Sequence, residues 1–138
     1  MTLCLGHDFA MVGAARHALR YWLHKRGCTT TDDAVLVLSE LVTNAMVHAG
    51  AGCTIEMQYD DARLRLEVRD PSPSPPVIAV VRPHETGGRG LHIVDAVTGA
   101  WGWEPTVDGK RVWASLDAPV KRTDNDVKTG TRLTVRPR

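Results

Sequence analysis

Ser39-Glu40-Leu41-Val42-Thr43-Asn44-Ala45-Met46-Val47-His48-Ala49 is the stretch that decides the fold. It lies within residues 33–49, a segment without Gly or Pro in which apolar residues recur at helical spacing. That spacing predicts a helix with one broad apolar face, made of Ala34, Val37, Leu38, Leu41, Ala45 and Met46. Glu40 and Asn44 are four residues apart, so they project from the same side of this helix, roughly 6 Å apart along its axis.

The pair of Glu40 and Asn44 has two interpretations. A carboxylate one helical turn from a carboxamide can activate a nucleophile beside a hydrated Mg²⁺. Alternatively, the two residues are an exposed polar pair on an ordinary amphipathic helix, and in isolation this spacing favours that interpretation because it is common by chance. The rest of the chain has to decide between them.

Composition and charge indicate one ordinary domain. The chain has 138 residues, of which 43% are apolar and 24% charged, and its formal net charge is +1. This length suffices for a core, and the balance is that of soluble proteins. The small net charge gives no reason to expect nucleic acid or a membrane as a partner. No apolar run approaches the length of a membrane span, and the N-terminus lacks a signal-peptide pattern.

The cysteines indicate the cellular compartment, and the C-terminal segment indicates where the folded domain ends. Cys4, Cys28 and Cys53 are odd in number and widely spaced, which matches neither a disulfide framework nor a zinc site, so a cytoplasmic location is expected. Residues 119–138 carry six basic and two acidic residues. We expect a folded domain over residues 1–118 and a basic, flexible tail over residues 119–138.

Periodicity predicts the remaining elements. Residues 1–8 begin with a short strand, and residues 10–26 form a helix that Gly27 ends. Thr31 or Asp32 caps the second helix.

Two hairpins follow the second helix. Residues 53–59 and 63–69 alternate between apolar and polar side chains around a tight turn at Asp60-Asp61. Residues 100–104 and 111–116 form the second hairpin, whose turn contains Asp108-Gly109. The tryptophans of this region are expected to pack on the sheet.

Asp70 stands at the inward-facing parity of its strand. Leu64, Leu66 and Val68 share that parity, so the Asp70 carboxylate is predicted to be buried, which is costly without a donor. Two explanations stay open. Asp70 opens the turn at Asp70-Pro71, or the amino group of a bound ligand donates to it.

A proline-rich loop and a glycine-rich turn follow Asp70. Residues 71–83 contain five prolines and cannot form regular structure, and loops of this length inside a domain are usually functional or disordered. Gly87-Gly88-Arg89-Gly90 then leads into a short helix that begins at Leu91. Glycines at a helix N-terminus let backbone N–H groups reach an anion such as a phosphate. The turn is neither a P-loop nor a dinucleotide fingerprint.

These motifs, in this order, resemble the Bergerat-fold, or GHKL, ATP-binding domain over residues 10–116. Residues 40–45 are similar to its N box, and Gly88-Arg89-Gly90-Leu91 is similar to its Gly-x-Gly-Leu box. Within that superfamily the chain resembles the bacterial anti-sigma-factor serine/threonine kinases, especially the branch with Asp-Pro-Ser-Pro after the second strand of the first hairpin. The resemblance implies an α+β fold: a two-layer α/β sandwich with a mixed, mostly antiparallel sheet and helices packed on one face.

The resemblance also implies roles for single residues. Glu40 would be the general base, Asn44 would coordinate Mg²⁺ at the nucleotide phosphates, and Asp70 would accept from the adenine amino group. His48 either approaches the phosphates or is a buried structural histidine. Residues 71–87 would form a mobile lid. The junction between lid and helix would bind the nucleotide through Gly87, Gly88, Arg89, Gly90 and Leu91.

By resemblance, the protein is an ATP-dependent regulator that binds a sigma factor and phosphorylates a Ser or Thr of an anti-anti-sigma protein. The first helix and the sheet would form a homodimer or partner contact. A non-catalytic binding module of the same fold is the main alternative. A metabolic ATPase or a detached histidine-kinase catalytic domain is a weaker one, because no phosphoacceptor helix is present in this sequence.

Two departures from the family pattern bear on this choice. Ser72 and Ser74 stand where the family usually has glycines. Lys110 and Arg111 stand where a threonine hydroxyl usually supports the adenine-binding aspartate. The altered pocket favours the binding module, whereas the intact Glu40 favours the kinase.

Overall fold

A computed structural model describes residues 1–76, 94–95 and 97–121, and these residues form a two-layer α+β sandwich. The helices are α1 (Ala10–His24) and α2 (Asp32–Ala49), and the strands are β1 (Thr2–Leu5), β2 (Cys53–Asp60), β3 (Arg63–Asp70), β4 (Ala100–Thr106) and β5 (Gly109–Asp117). The strands form one sheet in the order β1-β2-β3-β5-β4, and each of its described pairings is antiparallel. The predicted fold class is confirmed.

Helix α2 is central because it is buried against both α1 and the sheet. All the apolar positions predicted for its inner face are buried, and Val35 and Val42 are buried as well. This wider face reflects two packing partners, since α1 covers one side of α2 while β2, β3 and β5 lie beneath it. Gly50, with a φ of 62°, ends the helix in the left-handed conformation that glycine adopts without a steric cost.

The cap predicted for α2 is only partly correct. Thr31 is the N-cap residue, but its side chain makes no capping hydrogen bond. Instead, Arg20 of α1 donates to the Thr31 hydroxyl at 3.2 Å and to the Asp32 carboxylate at 2.9 Å. These side chains tie α1 to the start of α2. Helix α1 itself ends at His24, two residues before the predicted end, and the chain continues as a turn to Gly27, whose φ is 80°.

Both predicted hairpins form. In the first, Leu64, Leu66 and Val68 are buried as their parity predicts, but the tight turn consists of Asp61 and Ala62, one residue later than predicted. Both turn residues have a positive φ, 48° and 59°, the geometry that matches the twist of paired strands. In the second hairpin, β4 ends at Thr106 and β5 begins at Gly109.

The sheet face opposite the helices carries a charged cluster around Glu67. The Glu67 side chain is only 9% exposed, and guanidinium groups of Arg69, Arg111 and Arg65 lie 2.8, 3.5 and 3.7 Å from its oxygens. The Arg65 guanidinium also stacks over the Trp113 ring at 4.4 Å. Trp113 therefore packs on the sheet, as expected of the tryptophans.

The ends of the described segments connect to the core. Val94 is fully buried, and Val94, Asp95 and Val97 are helical, within the short helix predicted to begin at Leu91. At the C-terminal side, Val120 pairs with Cys28, so the first residues of the predicted tail contact the loop between α1 and α2. Residues 122–138 lie outside the described part of the chain. None of the described helices has the length and apolar character needed to cross a membrane.

Candidate functional site

Asp70 is a buried carboxylate at the end of β3. Its side chain is 1% exposed and faces the helix layer, on the side of the sheet that holds Leu66 and Val68. One carboxylate oxygen, Oδ1, accepts from the Ser72 backbone N–H at 2.8 Å and from the Lys110 ammonium at 3.1 Å. The turn explanation is therefore correct for Oδ1, because the bond from Ser72 closes a turn of the kind that aspartate favours.

The second carboxylate oxygen of Asp70 is the atom of the site that suits a hydrogen bond from a ligand. Oδ2 is buried and has no hydrogen-bond partner in the described part of the chain. An ionised carboxylate can only accept hydrogen bonds, and leaving a buried acceptor unpaired costs about 1–3 kcal/mol, more for a charged group. Oδ2 therefore suits a donor from a ligand, and the amino group of adenine is such a donor. The residues present fit the nucleobase that the resemblance implies.

Lys110 is the partner of Asp70 that motif reasoning did not identify as such. Its ammonium occupies the place where the family has a hydroxyl, and its side chain is 3% exposed. In the ladder between β3 and β5, Lys110 lies directly opposite Asp70. The signal was present in the sequence, since Lys110 has the same parity as the buried Val112 and Ala114. Using it required the pairing of β5 with β3, which the local pattern does not contain.

Gly109 lets the two strands approach each other closely beside Asp70. A Cβ atom added at Gly109 would lie 1.9 Å from the Asp70 backbone carbonyl oxygen and 2.7 Å from the Pro71 Cα. Any side chain at Gly109 would displace the backbone that carries Asp70. Glycine is therefore part of the site as well as of the turn predicted at Asp108-Gly109.

Glu40, Asn44 and His48 form a stripe along α2. Glu40 and Asn44 are half-buried, whereas His48 is exposed in the last turn of the helix. The exposure of His48 rules out the buried structural histidine, so the phosphate-contacting role is the interpretation that stays as a prediction. Burial raises the pKa of the Glu40 carboxyl. A carboxylate whose pKa lies closer to neutrality is a better proton acceptor, as general base catalysis requires.

Of the residues predicted to bind Mg²⁺ and phosphate, Asn44 lies within the described part of the chain and the glycine-rich turn lies outside it. Among the described residues, no group of three or more His, Cys, Asp or Glu side chains is placed to hold a metal ion. Asn44 as a ligand of Mg²⁺ stays a prediction. Gly87, Gly88, Arg89, Gly90 and Leu91, and the lid from residue 77 onward, lie outside the described residues.

A cavity of about 460 Å³ opens at the end of the sheet where Asp70 lies. Its lining includes Asp70, Cys53, Arg69 and Asp108, but not Glu40, Asn44 or His48. Burial and the nearby Asp70 and Cys4 raise the pKa of the Cys53 thiol to about 11. The described part of the cavity thus belongs to the Asp70 end of the site, while α2 supplies the stripe of polar side chains.

Residues 7–116 match the family described as the histidine kinase-like ATPase domain. The chain belongs to this family. The match covers most of the chain, including α2, Asp70 and Lys110, and it implies that this histidine kinase-like ATPase domain binds ATP. A comparison with curated proteins gave no match.

Proposed function

We propose that this protein is an ATP-dependent anti-sigma factor that phosphorylates a serine or threonine of an anti-anti-sigma partner of the STAS type. The observation that carries the kinase part is Glu40, a half-buried carboxylate with a raised pKa, one helical turn from Asn44 on α2. The resemblance of the motifs to the anti-sigma-factor kinases supports the choice of partner. Membership in an ATP-binding family supplies the nucleotide.

Each residue of the site has a role in this function. The Asp70 Oδ2 accepts a hydrogen bond from the adenine amino group, which satisfies a buried carboxylate oxygen. Asn44 would hold Mg²⁺, which would supply positive charge to neutralise part of the charge on the phosphates. Gly87 to Leu91 contribute backbone N–H groups to the phosphates, as the glycine-rich turn suggests.

The chemical step is an in-line phosphoryl transfer. The hydroxyl oxygen of the partner's serine or threonine forms a bond to the γ-phosphorus of ATP, and the bond from that phosphorus to the β–γ bridging oxygen breaks, so ADP leaves. The hydroxyl proton passes to the Glu40 carboxylate. Because Glu40 acts on the attacking hydroxyl and not on the nucleotide, its loss should affect transfer and spare nucleotide binding.

The experiment is a co-purification followed by incubation with radiolabelled Mg-ATP and mapping of the phosphorylated residue. Glu40→Gln should bind nucleotide with nearly unchanged affinity and transfer phosphate about 10²-fold more slowly or worse. Asn44→Ala should lower both affinity and transfer. Asp33→Asn is the matched control, because it removes a carboxylate that is exposed in the first turn of the same helix. Transfer by Glu40→Gln at the wild-type rate would contradict the assigned base.

A non-catalytic, nucleotide-responsive binding module is the second candidate, because the site departs from the family pattern at Lys110. A lysine ammonium replaces a hydroxyl in the adenine pocket, which alters the site away from the family pattern. The same experiment separates the two functions. A wild-type protein that binds Mg-ATP and retains its partner, but transfers no phosphate to it, is the binding module.

A further inference from the structure

Lys110 contacts the carboxylate on which base recognition depends. Its ammonium lies 3.1 Å from Asp70 Oδ1, and the two side chains are 3% and 1% exposed. A buried lysine is expected only where an opposite charge compensates it. Asp70, directly opposite in the β3–β5 ladder, supplies that charge.

The two oxygens of Asp70 are used unequally because of this contact. Lys110 and the Ser72 backbone N–H both donate to Oδ1, whereas Oδ2 has no partner in the described residues. Two donors on one oxygen fix the rotation of the carboxylate about its Cβ–Cγ bond. The donors therefore leave Oδ2 as the acceptor available to a ligand.

The charge of Lys110 also decides what Asp70 presents. In the ion pair with the Lys110 ammonium, Asp70 contributes a carboxylate, which has hydrogen-bond acceptors and no donor. A neutral carboxylic acid would instead present an O–H donor, and this donor suits a base that carries a carbonyl oxygen. The acceptor-only carboxylate suits a base that carries an amino group.

We propose that Lys110 is a positioning residue for nucleobase selection, which pairs with Asp70 Oδ1 and holds the carboxylate turned so that Oδ2 selects a purine with a 6-amino group. This inference rests on the proposed nucleotide site. Lys110 acts through Asp70 and is not assigned a contact with the base. It would thus do the supporting work of the family's threonine hydroxyl by a different chemistry.

The test measures a coupling between Lys110 and the 6-amino group by calorimetry. Mg-ADP is compared with Mg-purine riboside 5′-diphosphate, which carries hydrogen in place of that amino group. Wild type should prefer ADP by about tenfold or more, the value of a hydrogen bond to a charged group. Lys110→Met should lower the affinity for ADP to near that of the analogue and leave the affinity for the analogue unchanged.

Two further variants test whether the effect comes from the charge of Lys110 or from a loss of structure. Lys110→Gln keeps a neutral N–H donor near Oδ1 and removes the charge, so a folded protein with an intermediate preference is expected. Arg111→Met removes a cation from the next position of β5, on the opposite face of the sheet, and should keep the wild-type preference. Melting temperatures of all variants without ligand show which of them are folded.

Each outcome has a defined meaning. If both Lys110 variants are folded and keep the full preference for ADP, or lose both ligands equally, Lys110 is merely structural and the inference is wrong. Tighter ADP binding by Lys110→Met would also overturn it, because the ammonium would then obstruct the base. If wild type binds neither ligand, the proposed nucleotide site fails together with the inference.

Discussion

The buried pair of Asp70 and Lys110 allows a prediction about stability that needs no nucleotide. The Asp70 side chain is 1% exposed, and in Lys110→Met the Ser72 N–H would be its remaining donor among the described residues. Breaking a buried ion pair from one side leaves an uncompensated charge and costs about 3–5 kcal/mol in free energy of unfolding. For a domain of this size, that loss corresponds to a fall in melting temperature of roughly 10–20 °C.

The double variant is expected to behave differently from the sum of its parts. Asp70→Asn alone leaves the ammonium against a neutral oxygen and should cost roughly 3 kcal/mol, at the low end of the range for a broken buried pair. Asp70→Asn with Lys110→Met removes both charges, so the protein should recover to within about 1–2 kcal/mol of wild type, because neutral replacement of a buried pair is often tolerated. The measurement is urea unfolding at 25 °C, followed by tryptophan fluorescence.

An exposed ion pair on the same two strands provides the control. Arg63 and Asp117 are 2.8 Å apart, with side chains 51% and 79% exposed. The corresponding cycle of Arg63→Met and Asp117→Asn should give a coupling of less than about 1 kcal/mol, since solvent screens the interaction. Costs at Asp70 and Lys110 that simply add, or single variants that each lose less than about 1 kcal/mol, would refute the buried-charge argument.

Three further predictions follow from the site. Burial raises the pKa of Glu40, and transfer requires its ionised form, so the rate of phosphoryl transfer should fall on acidification at a higher pH than for an ordinary glutamate; a pH–rate profile of single turnovers checks this. Cys4 is exposed, whereas Cys53 is buried with a pKa of about 11, so a disulfide reagent at pH 8 should modify Cys4 first, as peptide mapping would show. Gly109→Ala should lower stability by about 1–3 kcal/mol or more and weaken ADP binding, because its Cβ would lie 1.9 Å from the Asp70 carbonyl oxygen; an unchanged melting temperature would contradict it.

Local periodicity accounts for what could be predicted from the sequence. The inner face of α2 follows from helical spacing, and the burial of Asp70 follows from the alternation along β3, because both patterns lie within one element. The predicted turn at Asp60-Asp61 is wrong by one residue, and Thr31 is the N-cap residue of α2 as predicted but makes no capping hydrogen bond. Both depend on which backbone conformations and side-chain partners are available in three dimensions, and Arg20 of α1 takes the cap's hydroxyl.

Only the Asp70 part of the pocket could be predicted from the sequence, because the other part depends on a contact between residues far apart in the chain. Asp70 stands at the end of β3, but its partner Lys110 stands 40 residues later at the start of β5. The sheet order places β5 beside β3 rather than at an edge, and this order is set by long-range packing. The missing hydroxyl at Lys110 is therefore visible in the sequence, whereas the ion pair that replaces it is visible only in the folded sheet.

The ion pair between Asp70 and Lys110 weakens the main argument against a kinase. The absence of the threonine hydroxyl suggested a weakened adenine pocket, but the Lys110 ammonium donates to the same carboxylate that the hydroxyl would support. Base recognition can then persist with a different donor, and it does not distinguish a kinase from a binding module. The distinction moves to Glu40, the half-buried carboxylate on α2 that the proposed kinase would need for phosphoryl transfer and that neither proposal needs for holding a nucleotide.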